Sequence, residues 1–319
     1  MTTYIIRRLL MAVVVLLIVS LIVFFVMRLL PGDPLVIFMG QSAGTGSMSP
    51  EQLEYLRAQY GLDKPLMVQY ATWLMGIFRG DLGKSIYYHE DVGLLFRDRF
   101  PITLHLGLSA YLLSSIGGIA LGGLAAIRRG TWIDTLTTTL ANIGITIPVF
   151  WLGILMIYFF GLKLDWLPIA GYTRPLDDFW LSTKQAIMPV ICLAITGLAY
   201  IARQMRSSML EVIRQDYIRT AWSKGLSERL VINRHALKNS LIPVITLLGM
   251  GIGMVFGGSV LVETVFAIPG MGRLLVTSVF AQDYVVVQSG TLVIATVIVL
   301  SNLLVDIGYG WLDPRIRYG

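Results

Sequence analysis

Charge is scarce in this sequence: Asp, Glu, Lys and Arg make up only 14% of its 319 residues, where a soluble globular domain carries about 25%. With 55% apolar residues and a mean hydropathy of +0.73, the composition excludes a soluble globular domain and points to an integral membrane protein. Cysteine is nearly absent, and the lone Cys192 excludes an intrachain disulfide and a cysteine metal cluster. The three histidines, His89, His105 and His235, are scattered too widely to be read as a metal set or a catalytic triad. No catalytic constellation is present, so enzyme activity is not expected. A cleaved secretory signal is not expected, because a signal peptide has a shorter apolar region and a small-residue cleavage site, and the first run is read as a retained helix with its N-terminus in the cytoplasm. The net charge of +6 would suit nucleic acid in a soluble protein. A polytopic chain gathers Lys and Arg in its cytoplasmic loops whatever it does, and no nucleic-acid partner is expected.

What the sequence does hold is apolar runs, at about 9–27, 102–127, 136–162, 186–203, 241–262 and 284–307. Each approaches or exceeds the roughly 20 helical residues that cross a hydrocarbon core. Basic residues flank alternate ends: Arg7 and Arg8, Arg128 and Arg129, the stretch from Arg203 to Lys238, and Arg315 with Arg317. Placing every such cluster in the cytoplasm predicts an all-α membrane protein with six transmembrane helices and both termini cytoplasmic. A count of seven would put Arg315 and Arg317 outside. The expected organisation is a first transmembrane helix over 1–30, an external region over 31–100, and a core of five transmembrane helices over 101–319 with a cytoplasmic loop at 203–240. Gly118 with Gly122, and Gly249, Gly253 and Gly257, have the spacing that lets helices approach closely. Pro148 predicts a kink in the third run. Asp306, near the end of the sixth run, is expected to pair with an Arg of the tail, with proton coupling as the alternative.

Pro31-Gly32-Asp33-Pro34 stops the first helix, since proline removes a donor and biases its predecessor toward extended geometry. Ser49-Pro50-Glu51 reads as a helix N-terminus, and a second short helix is expected over 67–78, both lying at the outer membrane surface. Gly80-Asp81-Leu82-Gly83-Lys84-Ser85 ends like a phosphate-binding loop. The required first glycine would fall at Phe78 and no buried strand precedes it, so the chain itself is not expected to bind ATP. The polar stretch 163–184 and the segment holding Glu263, Ile268-Pro269-Gly270, Arg273 and Asp283 are read as outside loops.

The densest cluster of charge is internal, between Met205 and Pro243. There Ile218, Ala221, Trp222 and Leu226 can share one helical face while Arg219 and Lys224 point elsewhere. Such a segment suits a helix that docks into a groove on a partner, or equally one that rests on lipid headgroups. Gly225 is placed to end or bend it.

This stretch resembles the coupling loop of ABC-transporter permeases, written Glu-Ala-Ala, three residues, Gly, nine residues, then Ile-x-Leu-Pro. Arg219-Thr220-Ala221 holds the first three positions, Gly225 matches the glycine, and His235-Ala236-Leu237-Lys238 stands at the last four. The departures are themselves similar to one branch, the dipeptide and oligopeptide (DppB/OppB-type) permeases. Leu30-Pro31-Gly32-Asp33-Pro34, Gly61-Leu62-Asp63-Lys64-Pro65, Gly80-Asp81-Leu82-Gly83, Arg206-Ser207-Ser208-Met209-Leu210, Pro269-Gly270-Met271-Gly272-Arg273 and Asp313-Pro314-Arg315 extend the likeness over nearly the whole chain. Val285 departs from it, standing where the branch has proline.

The resemblance implies a permease subunit of an ATP-driven importer in the bacterial cytoplasmic (inner) membrane. It would pair with a second homologous permease and with one or two ABC ATPase subunits, and receive di- or oligopeptides from an extracytoplasmic binding protein. No cofactor is bound by this chain on that reading; ATP is used by the partner subunits. Coupling to the ATPase is assigned to Tyr217, Arg219, Thr220, Ala221, Lys224, Gly225 and Leu226, and docking of the binding protein to Asp33, Asp63 and Asp81. The same branch serves nickel and glutathione, and an ion-coupled secondary carrier is the alternative of a different class, though the inverted repeats and midplane acids it needs are not visible.

Overall fold

The computed structural model describes residues 2–29, 50–251 and 259–312, with the side chains of 2–5, 306–312, 50, 53, 56, 59 and 250 left aside. Asp33, Gly253, Gly257, the 313–317 tail and the Asp306 side chain lie outside this description. Among the described residues the regular structure is helical, with one isolated bridge between Lys84 and Asp91. In chain order the helices are α1 (Thr2–Leu29), α2 (Pro50–Gln59), α3 (Leu66–Phe78), α4 (Val92–Ile127), α5 (Trp132–Thr146) and α6 (Val149–Met156), which runs on as a π-helical turn to Lys163. Then come α7 (Phe179–Ile213), α8 (Asp216–Ser223), a helical turn at Glu228–Leu230 that runs on as a π-helical turn over Val231–Ala236, α9 (Leu237–Gly251), α10 (Ser259–Val265), α11 (Met271–Phe280) and α12 (Tyr284–Leu312).

Among the described residues four helices are long and apolar enough to cross a membrane, over Ile6–Leu29, Val92–Ile127, Phe179–Ile213 and Tyr284–Val305, and a fifth span is present if the bent pair α5 and α6 is one. The expected run at 241–262 includes 252–258, which lie outside the description, so α9 and α10 are described separately. The described residues divide into two compact units, one up to Thr103 with Pro269–Leu303, the other from Leu104 to Ile268 with 304–312.

In the first unit, α1 shows apolar side chains almost all round, with Leu10, Val13, Val14, Ile18 and Ile22 exposed, as a helix bathed in lipid does. Its C-terminal half meets α3. Phe24 packs edge-on against Tyr70 at 5.2 Å, Arg28 Nε donates to Gln69 Oε1 at 3.0 Å, and Ser20 bonds Tyr70 at 2.8 Å. The two short helices expected from the sequence are both present, but α3 is pinned to α1 by these contacts as well as lying beside it. The N-terminus of α4, Val92, Leu95 and Phe96, is buried against Met271 and Leu274 of α11 and Val286 of α12. That burial explains why α4 begins ten residues before the expected run and carries Pro101 in its interior. Proline's fixed φ fits a helix, the lost bond costs a few kcal/mol, and the packing offsets it. The segment read as a loop around Arg273 is the 10-residue helix α11, with Met271 and Leu274 buried.

In the second unit, α4 crosses α7 through its glycines. A Cβ at Gly118 would lie 2.7 Å from Ile201 Cβ, and one at Gly122 would lie 2.8 Å from Met205 Cβ and overlap the Ala202 carbonyl, so both must stay glycine for the helices to touch. Pro148 does more than kink its run: α5 and α6 meet at 107°. Proline forces its predecessor out of helix, and Ile147 (φ −71°, ψ 127°) and Pro148 (φ −63°, ψ 126°) are both extended, which makes a full break. Helix α7 starts at Phe179, inside the expected loop, where Asp178 Oδ1 accepts from Leu181 N at 2.9 Å as an N-cap.

Candidate functional site

The charged loop is built on α8. Helix α7 stops at Ile213, Gln215 is extended (φ −71°, ψ 149°), and α8 starts afresh at Asp216. It ends in a tight left-handed closure: Gly225 has φ +77°, its N–H donates to Trp222 O at 2.9 Å, and Leu226 N–H reaches Ala221 O at 3.4 Å. This pair of bonds satisfies the last carbonyls of a helix and favours glycine at the turn.

Ile218 and Ala221 are buried, and they face inward. They pack with Met205 and Met209 of α7, Val231 and Ala236 of the turn before α9, and Val244 of α9, with Leu226 against the same cluster. The apolar face expected to enter a partner's groove is therefore the face that anchors α8 to its own chain. Burial of a small apolar cluster is worth far more than exposed ion pairs, so hydrophobic contact sets the position of α8. Ser208 Oγ donates to Ser240 O at 3.0 Å and Ser240 Oγ to Ala236 O at 2.7 Å, tying α7 to α9 beneath it.

The opposite face is open. Arg219, Thr220, Ser223 and Lys224 are exposed, with Tyr217 at 45% and Trp222 at 40%. The Tyr217 hydroxyl accepts from Asn239 Nδ2 at 3.0 Å, which holds its ring. Asp216 and Arg219 approach to 3.8 Å, both well exposed, a contact worth little in water. Of the seven expected coupling residues, Tyr217, Arg219, Thr220 and Lys224 are thus on the outward face, Ala221 and Leu226 on the anchored one, and Gly225 at the closure between them.

Two polar clamps were not foreseen from the sequence. Arg206 of α7 holds Asp134 of α5 through Nε–Oδ1 at 2.6 Å and Nη2–Oδ2 at 2.9 Å, and Gly130 N–H adds a third bond to the carboxylate at 3.0 Å. The partners are 72 residues apart, so no local spacing signals the pair. In the first unit, buried Asp283 accepts Ser85 Oγ at 2.5 Å, Tyr87 N at 3.1 Å and Val286 N at 3.3 Å, capping α12. Ser85 Oγ in turn accepts from Tyr88 N at 2.8 Å. The serine of the apparent phosphate loop is thus fully engaged in holding that loop to α12. Burial raises the Tyr88 phenol pKa above its ordinary value against the opposing pull of Arg99, so that ring stays protonated. Val285 lies over Gly83, whose Cβ would meet Val285 Cγ1 at 2.8 Å. Asp63 is exposed; Asp81 is exposed and accepts from Gly83 N at 2.9 Å. His105 bonds the Tyr172 hydroxyl at 2.9 Å.

Comparison with known proteins gives the family. Residues 118–318 match the model of the binding-protein-dependent transport system inner membrane component, and 1–107 match the N-terminal model of the same membrane components. The chain belongs to this family. The permease is 39% identical over 338 residues to the di/tripeptide transport system permease protein DppB of Pseudomonas aeruginosa, covering 100% of this chain and 99% of that one. It is 38% identical over 341 residues to the dipeptide transport system permease protein DppB of Escherichia coli K12, with 100% and 99% covered. At 43% over 320 residues, with both chains fully covered, it is similar to a Brucella abortus protein provisionally named a peptide transport system permease. Its fold is like that of a methionine ABC transporter in inward-facing crystals (TM-score 0.52, 17% identity, 69% of this chain and 94% of that one) and of an amino acid ABC transporter (TM-score 0.51, 15% identity, 70% and 95%). The family is one of transport permeases.

Proposed function

We propose that this permease is the membrane-spanning subunit of an ATP-driven importer that moves di- or oligopeptides across the bacterial inner membrane, driven through α8 by separate ATPase subunits. The observation that carries the reading is the two-sided build of α8. Ile218 and Ala221 lock it to α7 and α9, while Tyr217, Arg219, Thr220, Trp222 and Lys224 face out, so a push on the outward face is delivered to both of those helices as a unit. A lever needs a packed base of this kind, because packed cores switch between discrete arrangements instead of yielding.

On this reading six spans, the four long helices, the bent pair and the run at 241–262, put both termini and α8 in the cytoplasm, in keeping with the basic residues around it. A second related permease and one or two ATPase subunits complete the assembly, and an extracytoplasmic binding protein delivers solute near Asp63 and Asp81. The peptide relatives named above support the substrate class. Uptake of labelled dipeptides, longer peptides and nickel by cells expressing the chain together with ABC ATPase subunits and a binding protein tests it. Peptide uptake abolished by Ala221→Glu, with the protein still in the membrane, is the expected result. Uptake of nickel alone, or peptide uptake without the ATPase, overturns the reading.

A further inference from the structure

Helix α5 carries an exposed polar stripe that α1 and the middle of α4 lack. Thr135, Thr139, Asn142 and Thr146 are all exposed. At 100° per residue their spacing of four, three and four places them within about 60° of one another. The other side of α5 is occupied: Ala141 and Gly144 are buried, and a Cβ on Gly144 would lie 3.2 Å from Ile195 Cγ1 and 3.3 Å from Ala199 Cβ of α7. Against α1 and the middle of α4 the contrast is plain. Their exposed side chains are hydrocarbon, Val13, Leu17, Leu21 and Ile22 on one and Leu112, Ile116, Leu121 and Leu124 on the other, while Ser20, Ser114 and Ser115 are turned inward.

Threonine alone proves little, since its hydroxyl can bond back to its own helix. Thr135 does so to Thr131 O at 3.3 Å and Thr146 to Asn142 O at 3.0 Å. The Asn142 amide is different: among the described residues its side chain has no hydrogen-bond partner, and an amide left bare in hydrocarbon costs several kcal/mol. The stripe also runs into the break. Ile147 and Pro148 are extended at the 107° bend of a pair apolar enough to lie in a membrane. Ile147 N–H still reaches Ile143 O at 2.9 Å and Pro148 O accepts from Leu152 N at 3.0 Å, but non-helical backbone at membrane depth is tolerated only where protein covers it or water reaches it. A cleft of about 450 Å³ lies at the bend, lined by Ile143, Thr146, Ile147, Pro148, Phe150 and Trp151.

We propose that the stripe Thr135, Thr139, Asn142 and Thr146, with the extended backbone at Ile147–Pro148, lines the water-filled route that solute takes through the transporter. This rests on the importer reading above. The chemistry fits a short zwitterionic peptide in transit: neutral hydroxyl and amide groups exchange hydrogen bonds with backbone and water without gripping either charged end, and the neighbouring Ile143, Phe150 and Trp151 offer apolar wall to variable side chains.

The test is aqueous accessibility in membranes holding the whole transporter. Cys192 is the only cysteine and is buried, so C192A gives a clean background for single cysteines at Thr139, Asn142 and Thr146, with Leu112 and Leu121 as lipid-face controls. A charged, membrane-impermeant methanethiosulfonate is expected to modify the three stripe positions at least ten-fold faster than the controls, and the adduct at 142 to block uptake of labelled dipeptide. Stripe positions that react no faster than Leu112→Cys overturn the proposal, as does an adduct at 142 that leaves uptake untouched. If one stripe variant fails to accumulate, the other two carry the comparison. Labelling needs no transport, so an unmodified transporter that takes up no peptide overturns the importer reading separately.

Discussion

Arg206 grips Asp134 with both arms of its guanidinium, Nε to Oδ1 at 2.6 Å and Nη2 to Oδ2 at 2.9 Å. The carboxylate is nearly buried and the arginine 30% exposed. Helices α5 and α7 are thereby fixed to each other close to where α7 leads into α8. Asp134→Ala leaves a cation facing a half-buried gap, at a cost of about 2 to 4 kcal/mol after allowance for the solvent that reaches Arg206. Replacing both residues by apolar ones of similar size is expected to cost less than the single change. Thermal unfolding of the purified permease in detergent reads the order. Arg206→Lys, which keeps charge but loses the fork, should fall between wild type and Asp134→Ala.

At Gly225 the constraint is conformational. Its φ is +77° and a Cβ there would meet nothing within 4 Å, so size alone is not resisted. Gly225→Asn is expected to retain most uptake because asparagine reaches left-handed angles, Gly225→Ala to lose about 1 kcal/mol of local stability, and Gly225→Val to lose the most. Dipeptide uptake normalised to membrane-inserted protein checks the series. A valine variant as active as the asparagine one would show that the closure of α8 does not need this geometry.

Neighbouring residues on α8 should respond in opposite ways. Ala221 is buried, so Ala221→Leu overpacks the anchor and costs about 1 to 3 kcal/mol, lowering the melting temperature as well as uptake. Thr220 is exposed, so Thr220→Ala should leave melting unchanged, and any loss of uptake there reports contact with a partner. Measuring melting and uptake on the same preparations separates the two.

Ser85→Ala removes the hydroxyl that both donates to buried Asp283 and accepts from Tyr88 N. Leaving a buried carboxylate short of a donor costs about 1 to 3 kcal/mol. Limited proteolysis is expected to cut the 80–91 segment faster in this variant. Lys84→Ala, on the same segment but outside the clamp, should be cut at the wild-type rate.

The sequence shows some of this architecture and hides the rest for physical reasons. The apolar run of α1 is legible because a lipid-bathed helix needs no particular period, and the closure at Gly225 because left-handed backbone is a local property. Helix α4 begins early and α11 exists at all because Val92, Leu95, Phe96, Met271 and Leu274 bury one another, a partnership that distance in sequence conceals. For α8 the amphipathic pattern is correct. Its direction is not readable, since a face made of Ile218 and Ala221 looks the same whether it meets its own chain or another. Asp178 was an available signal for the start of α7, an acid three residues ahead of the N–H it caps.

The bond between Ser85 and Asp283 joins residues 198 positions apart, and the burial of Val92 and Phe96 also waits on Met271 and Val286. A ribosome adding about 5 to 20 residues per second therefore holds the 80–91 segment without its partners for roughly 10 to 40 seconds. Leu104–Ile268, by contrast, is a single contiguous stretch of the other compact unit. The order of synthesis makes Leu104–Ile268 before the partners of the 80–91 segment, so a chain cut short before residue 283 leaves the N-terminal unit without its capstone.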